Sequence, residues 1–206
     1  MVSHKPLRKS RAGFTFFPPA DRYNATMKIL AISGSLRAGS SNTALLEAAA
    51  QIAPPEMQIV LYQGLGELPH FNPDLDGEGD SPPPPVADLR SQVSAASGVI
   101  ISSPEYAHGV PGSLKNVLDW LVSYPDFAGK PVLLWNASAA GGDYAQASLL
   151  ETLKTMSARV LVEDCLLTPF LPRRLAPGAD LPGEATRALR RSLAALAAAA
   201  GDLSGP

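Results

Sequence analysis

The chain has a single cysteine, Cys165, among 206 residues. An internal disulfide is therefore excluded, and a reducing compartment, the cytoplasm, is the expected home. Histidine is nearly as scarce. His4, His70 and His108 make a poor zinc set, so no metal is expected. No apolar run approaches the roughly 18 residues that span a bilayer, and the Ala-rich stretch after Ser192 reads as helix. The formal net charge is −2, and no clustered basic face suits the phosphates of a nucleic acid. Neither a membrane nor a nucleic acid is the expected partner.

What is present suits a soluble globular protein: 46% hydrophobic and 17% charged residues, in a length that fits one core. The first 26 residues stand apart. They carry Lys5, Arg8, Lys9, Arg11 and Arg22 against Asp21, a net +4, so the remainder carries −6. They hold no apolar stretch of the secretory kind. The reading is a flexible extension over 1–26, or an over-long start with Met27 as initiator, ahead of one domain over 27–206.

From Met27 onward, short apolar runs alternate with helical periods. Strands are expected at Lys28–Ser33, Gln58–Tyr62, Gly98–Ser102 and Pro131–Asn136, with a fifth starting at Val160-Leu161-Val162. Helices are expected over Asn42–Ile52, Val86–Ala96, Gly112–Ser123, Tyr144–Ser157 and Gly183–Ala200. The segment Gly64–Pro85, rich in Gly, Asp and Pro, reads as irregular loop. Strands apolar throughout are buried on both faces, and strict β-α alternation implies a parallel sheet. The expected fold is a flavodoxin-like three-layer α/β sandwich with five strands in the order 2-1-3-4-5. Ligands bind such sheets at the carboxyl ends of the strands.

Two loops at that end carry the chemistry. Gly34-Ser35-Leu36-Arg37-Ala38-Gly39-Ser40-Ser41-Asn42 joins the first strand to a helix. Its small residues and the helix start offer N–H donors to an anion, and Arg37 adds a charged one. It lacks the Lys-Ser/Thr ending of a P-loop and the G-x-G-x-x-G of a dinucleotide fold, so a monophosphate fits it better. By spacing alone, Ser40, Ser41 and Asn42 read equally as helix caps. The second loop, Pro104-Glu105-Tyr106-Ala107-His108-Gly109-Val110-Pro111, has prolines that stiffen it and glycine that permits close approach, as a flat ring requires. Taken alone, Pro104 and Tyr106 also read as packing residues.

The pair of motifs, G-S-L-R-x-x-S-x-N over Gly34–Asn42 and P-E-Y-x-x-x-x-P-G-x-L-K-N-x-x-D-W over Pro104–Trp120, resembles the NADPH-dependent FMN reductase family, which includes quinone, chromate and azo-compound reductases. The resemblance runs from Met27 to about Thr168. It implies FMN as cofactor with NADPH (or NADH) as hydride donor. Ser35, Arg37, Ser40, Ser41 and Asn42 would hold the FMN phosphate. Pro104, Glu105, Tyr106 and Ala107 would line the ring edge, with Ala107 standing where the family commonly has Asn. Ser138, Gly141 and Gly142 correspond to a third loop on the flavin side. No catalytic side chain is assigned, because the cofactor carries the chemistry; His108 is a minor candidate for proton delivery.

The implied activity is hydride transfer from NAD(P)H through FMN to a quinone or similar small acceptor. The resemblance also implies a homodimer or homotetramer, for which the apolar and aromatic surface of Leu114–Leu121 with Trp120 and Tyr124 is the sequence's own pointer. The alternatives are a flavodoxin-like FMN electron carrier without a nicotinamide site and an interaction domain that has lost the cofactor.

Overall fold

The computed structural model describes residues 26–77, 79, 81–138, 141–167, 175–176 and 178–202. The basic extension over 1–26 therefore lies, but for its last residue, outside the described residues. From Met27 the chain alternates strand and helix: β1 (Met27–Ser33), α1 (Ser41–Ile52), β2 (Met57–Leu61), α2 (Pro84–Ala95), β3 (Gly98–Ser102), α3 (Gly112–Leu121), β4 (Pro131–Asn136), α4 (Asp143–Thr155), β5 (Arg159–Val160), β6 (Leu166–Leu167) and α5 (Gly183–Gly201). All pairings are parallel and the order is β2-β1-β3-β4-β5, with β6 also against β4.

Residue parity along each strand divides the core in two. Leu30, Ile32, Val99, Ile101, Val132 and Leu134 face α2, α3 and α4. Ile29, Ala31, Ile100, Leu133 and Trp135 face α1 and α5. Strands covered on both sides have no solvent face, which is why they are apolar throughout. This is the expected flavodoxin-like three-layer sandwich.

The fifth position departs from the expected strand. Only Arg159–Val160 pairs at the start; Val162–Asp164 forms a 3-10 turn, and pairing resumes at Leu166–Leu167. Cys165 fills the gap: its Sγ accepts from Leu134 N and donates to Leu161 O, both at 3.3 Å. A thiol thus stands where a continuous strand would offer a carbonyl, and burial pushes its pKa up. Two smaller corrections follow. The segment Gly64–Pro85 holds 3-10 turns at Gly64–Gly66 and Pro73–Leu75, and α2 starts at Pro84, where proline's missing N–H costs nothing.

Trp120 and Tyr124 also correct an expectation. Trp120 is fully buried, its Nε1 donating to Pro69 O at 2.8 Å, with Phe71 edge-on at 5.1 Å. Tyr124 lies under the Arg90 guanidinium. The chain covers this aromatic surface itself, so it is no argument for an assembly. Among the described residues no helix is long and apolar enough to cross a membrane.

Candidate active site

Because β1, β3 and β4 are adjacent and parallel, the loops that follow them share one end of the sheet. The ladder carries on into them: Gly34 N donates to Ser102 O at 2.8 Å and Ser103 N to Trp135 O at 3.0 Å. Asn42, buried in the first turn of α1, ties all three. Its Oδ1 accepts from Ser102 Oγ at 2.8 Å, at the end of β3, and from Ala137 N at 3.0 Å, just past β4. Gly34 keeps this approach close, since a Cβ would lie 2.9 Å from Leu114 Cδ2 and 3.0 Å from Ser103 Oγ and would force those side chains to shift.

The first loop is folded by its own polar groups. Ser35 Oγ accepts from Arg37 N, and the Arg37 guanidinium donates to Gly39 O at 2.6 Å. Buried Ser40 caps α1, its Oγ accepting from Thr43 N. Ser41 Oγ accepts from Leu175 N at 3.1 Å. The loop and first helical turn carry no Asp or Glu from Gly34 to Leu46, so the α1 N-terminus keeps its positive character. A cavity of about 220 Å³ flanks the loop on the β2 side, lined by Ser35, Arg37, Thr43 and Gln63 among others. It is smaller than the roughly 300 Å³ at the lower end of ligand pockets.

The second loop closes on itself: Tyr106 and Gly109 exchange N–H···O bonds of 3.0 and 2.9 Å. The two residues between them, Ala107 (φ +50°) and His108 (φ +58°), are both left-handed, the geometry of a type I′ turn. For non-glycine residues this costs on the order of 1–2 kcal/mol each, so something outside the turn holds it. Glu105 Oε2 accepts from Ala145 N at 2.9 Å, in the first turn of α4. The His108 imidazole stacks on the Tyr144 ring at 4.2 Å and 17°. Tyr106 remains more than half exposed at 55%.

The third loop is shaped by Asn136, whose Oδ1 accepts from Ser138 N at 2.7 Å. Gly141 has φ +93°, while Gly142 is needed for space: a Cβ there would fall 1.8 Å from Asn136 Nδ2. No side chain of its own segment caps α4; the Glu105 carboxylate does so from the second loop.

All twelve residues expected at the site, Ser35, Arg37, Ser40, Ser41, Asn42, Pro104, Glu105, Tyr106, Ala107, Ser138, Gly141 and Gly142, thus lie in three loops at one end of the sheet or at the start of α1. Several already have internal work, above all Asn42 and Glu105. Sequence reading missed Tyr144 and Asn136, which carry no local signal, and the task of the L-K-N-x-x-D-W segment. Asn116 accepts from Phe71 N at 2.8 Å and donates to Pro69 O at 2.9 Å, so this half of the motif pins the β2–α2 loop. Tyr62, pushed up to about 12 by burial and then by Asp88 and Glu67, lines the cavity beside the first loop with Ser35 and Arg37, whereas Lys130, lowered by burial, immediately precedes β4, at the opposite end of the sheet. Lys130 Nζ instead donates to Val93 O and Ala96 O at the end of α2. Among the described residues no group of three His, Cys, Asp or Glu could hold a metal ion.

Comparison with known proteins places this geometry. The chain is 36% identical to a quinone reductase of Escherichia coli (strain K12) over 139 residues, 66% of this chain and 73% of that protein. It is 41% identical to an NAD(P)H-dependent FMN reductase of Pseudomonas aeruginosa over 131 residues, 62% of this chain and 69% of that one. Among solved structures it shares the fold of the flavoenzyme NAD(P)H:(acceptor) oxidoreductase FerB from Paracoccus denitrificans, with a TM-score of 0.63 at 22% identity, covering 85% of this chain and 96% of that one. The profile of the NADPH-dependent FMN reductase family matches residues 27–170, a span that includes β1 to β6 and all three loops, and the chain belongs to that family.

Proposed function

We propose that FMN lies across the carboxyl ends of β1, β3 and β4, its phosphate at 34–42 and its ring between 104–107 and the residues Ser138, Gly141 and Gly142, and that the acceptor is a quinone or a similarly small oxidant. Family membership makes the chain an FMN-dependent NAD(P)H oxidoreductase rather than an electron carrier. The observation that carries the site is Asn42, one side chain that fastens the ends of β3 and β4 to the start of α1.

The donor set fits this group. The first loop offers hydroxyls, one guanidinium, no carboxylate and a helix N-terminus, as suits a dianionic phosphate. Half-buried Pro104 and exposed Tyr106 offer a stiff edge to a ring. The chemistry that FMN supplies when bound is hydride acceptance from NAD(P)H and electron delivery to the acceptor. The protein's share is position and field. Arg37 and the α1 N-terminus would hold the phosphate, and the Gly142 N–H would favour negative charge on the reduced ring, the Gly141 N–H being donated to Ser138 O. Glu105 is committed to Ala145 N and acts as a structural carboxylate, not a base.

Purified protein should show the visible absorbance of bound flavin. Anaerobic NADPH should bleach it, and a quinone should restore it. Material that stays colourless after incubation with excess FMN overturns the site, and colour that neither NADPH nor NADH bleaches turns the reading to a carrier. We place the protein in the cytoplasm as a homodimer or homotetramer; light scattering giving only the 21.5 kDa chain mass removes the assembly.

A further inference from the structure

Two contacts cross from the second loop to α4, and both land on its first turn. Glu105 accepts from Ala145 N, and His108, one residue before the end of the Tyr106–Gly109 turn, stacks on Tyr144. The α4 turn they grip follows Gly141 and Gly142 directly. Neither the core nor the sheet explains the stack: His108 and Tyr144 are exposed, Tyr144 at 59%. His108 is moreover held at φ +58°, in a conformation that glycine would adopt without strain. A side chain kept at an unfavourable backbone position, its ring laid on another loop's helix, is performing a task that the turn itself does not need.

We propose that the His108–Tyr144 stack, with Glu105 beneath it, is a clamp that fixes the distance between the second and third loops and so sets the width of the flavin site. His108 and Tyr144 are then positioning residues for FMN, acting through the backbone of 104–107 and 141–142. The inference rests on the ring lying between those loops, as proposed above. Without the clamp, α4's first turn with Gly141 and Gly142 would order only on binding, and affinity would fall by the amount of that ordering.

The test uses His108→Gly, Tyr144→Ala, their combination, and the ring-preserving His108→Phe and Tyr144→Phe, each titrated with FMN and followed by flavin fluorescence. Removing an aromatic pair weakens binding by about threefold to tenfold. His108→Gly should therefore unfold no more easily than the natural chain, because the turn is relieved, yet bind FMN several-fold more weakly. The double variant should lose no more than the worse single one. Both Phe variants should bind like the natural chain, and the flavin's reduction potential should shift in the Gly and Ala variants only. His108→Gly with natural FMN affinity overturns the clamp, as do Phe variants impaired as much as His108→Gly and Tyr144→Ala. A natural chain that binds no FMN at all sinks the site assignment instead, so the two failures are told apart.

Discussion

Ser102 and Asn42, 60 residues apart in the chain, meet in the interior, where the serine hydroxyl donates to Asn42 Oδ1 at 2.8 Å. The same oxygen holds Ala137 N. Asn42→Ala leaves a hydroxyl and an amide buried without partners, each costing on the order of 1–3 kcal/mol. We expect the FMN-free protein to lose about 2–4 kcal/mol in urea unfolding, with FMN affinity down tenfold or more. A loss below about 1 kcal/mol means that the three loops are held by something else.

The two glycines of the third loop should behave differently. At Gly142 a methyl group would collide with the buried Asn136 amide, and Gly142→Ala should cost about 1–3 kcal/mol and displace the loop. At Gly141 nothing lies within 4 Å of a Cβ and only the φ of +93° resists. Gly141→Ala should cost about 1 kcal/mol. Thermal unfolding of both variants, run side by side, checks the order; equal losses contradict it.

Asn116→Ala removes both bonds to the β2–α2 loop. Amide exchange at Phe71 should quicken at least tenfold, while exchange in β3 and β4 stays slow, because the loop opens without the sheet. Unchanged protection at Phe71 would show that the Phe71–Trp120 contact suffices.

Tyr62 has the opposite character. Its buried hydroxyl has no hydrogen-bond partner among the described residues, so Tyr62→Phe should raise stability at neutral pH by about 1 kcal/mol. The sign at alkaline pH follows from the raised pKa. The folded chain keeps the phenol neutral up to about 12, whereas the unfolded chain ionises near 10. The unfolded state thus binds fewer protons in that interval, and stability should drop as pH climbs from about 10 to about 12. Urea unfolding at several pH values should show that decline flattened in Tyr62→Phe; an identical decline assigns it to another group.

Much of this was legible in the residues. Residues 29–32, 99–101 and 132–135 in β1, β3 and β4 are unbroken apolar runs, and burial on both faces demands just that. The loops after β1 and β3 are marked by small residues, hydroxyls and prolines whose effects are local. The fifth strand was not legible. Val160-Leu161-Val162 has the composition of a strand, and what breaks it is a thiol meeting Leu134 N from across the sheet edge, a contact with no sequence period. The same holds for Trp120 and Asn116, whose partner at Pro69 lies 51 and 47 residues earlier. Read along α3 alone, the tryptophan looks like surplus surface. Tyr144 was passed over because its stacking partner belongs to another turn, and neither residue shows its purpose without the other.

The β2–α2 crossing is held in two ways: α3 grips a carbonyl at Pro69 and an amide at Phe71, while Leu65, Leu68 and Phe71 pack into the core and Asp76 pairs with Arg90. The main-chain part of that grip is sensitive to count. Inserting or deleting a single residue between Leu68 and Asp76 would slide the wrong atoms under Asn116 and Trp120 and unseal the helix beneath.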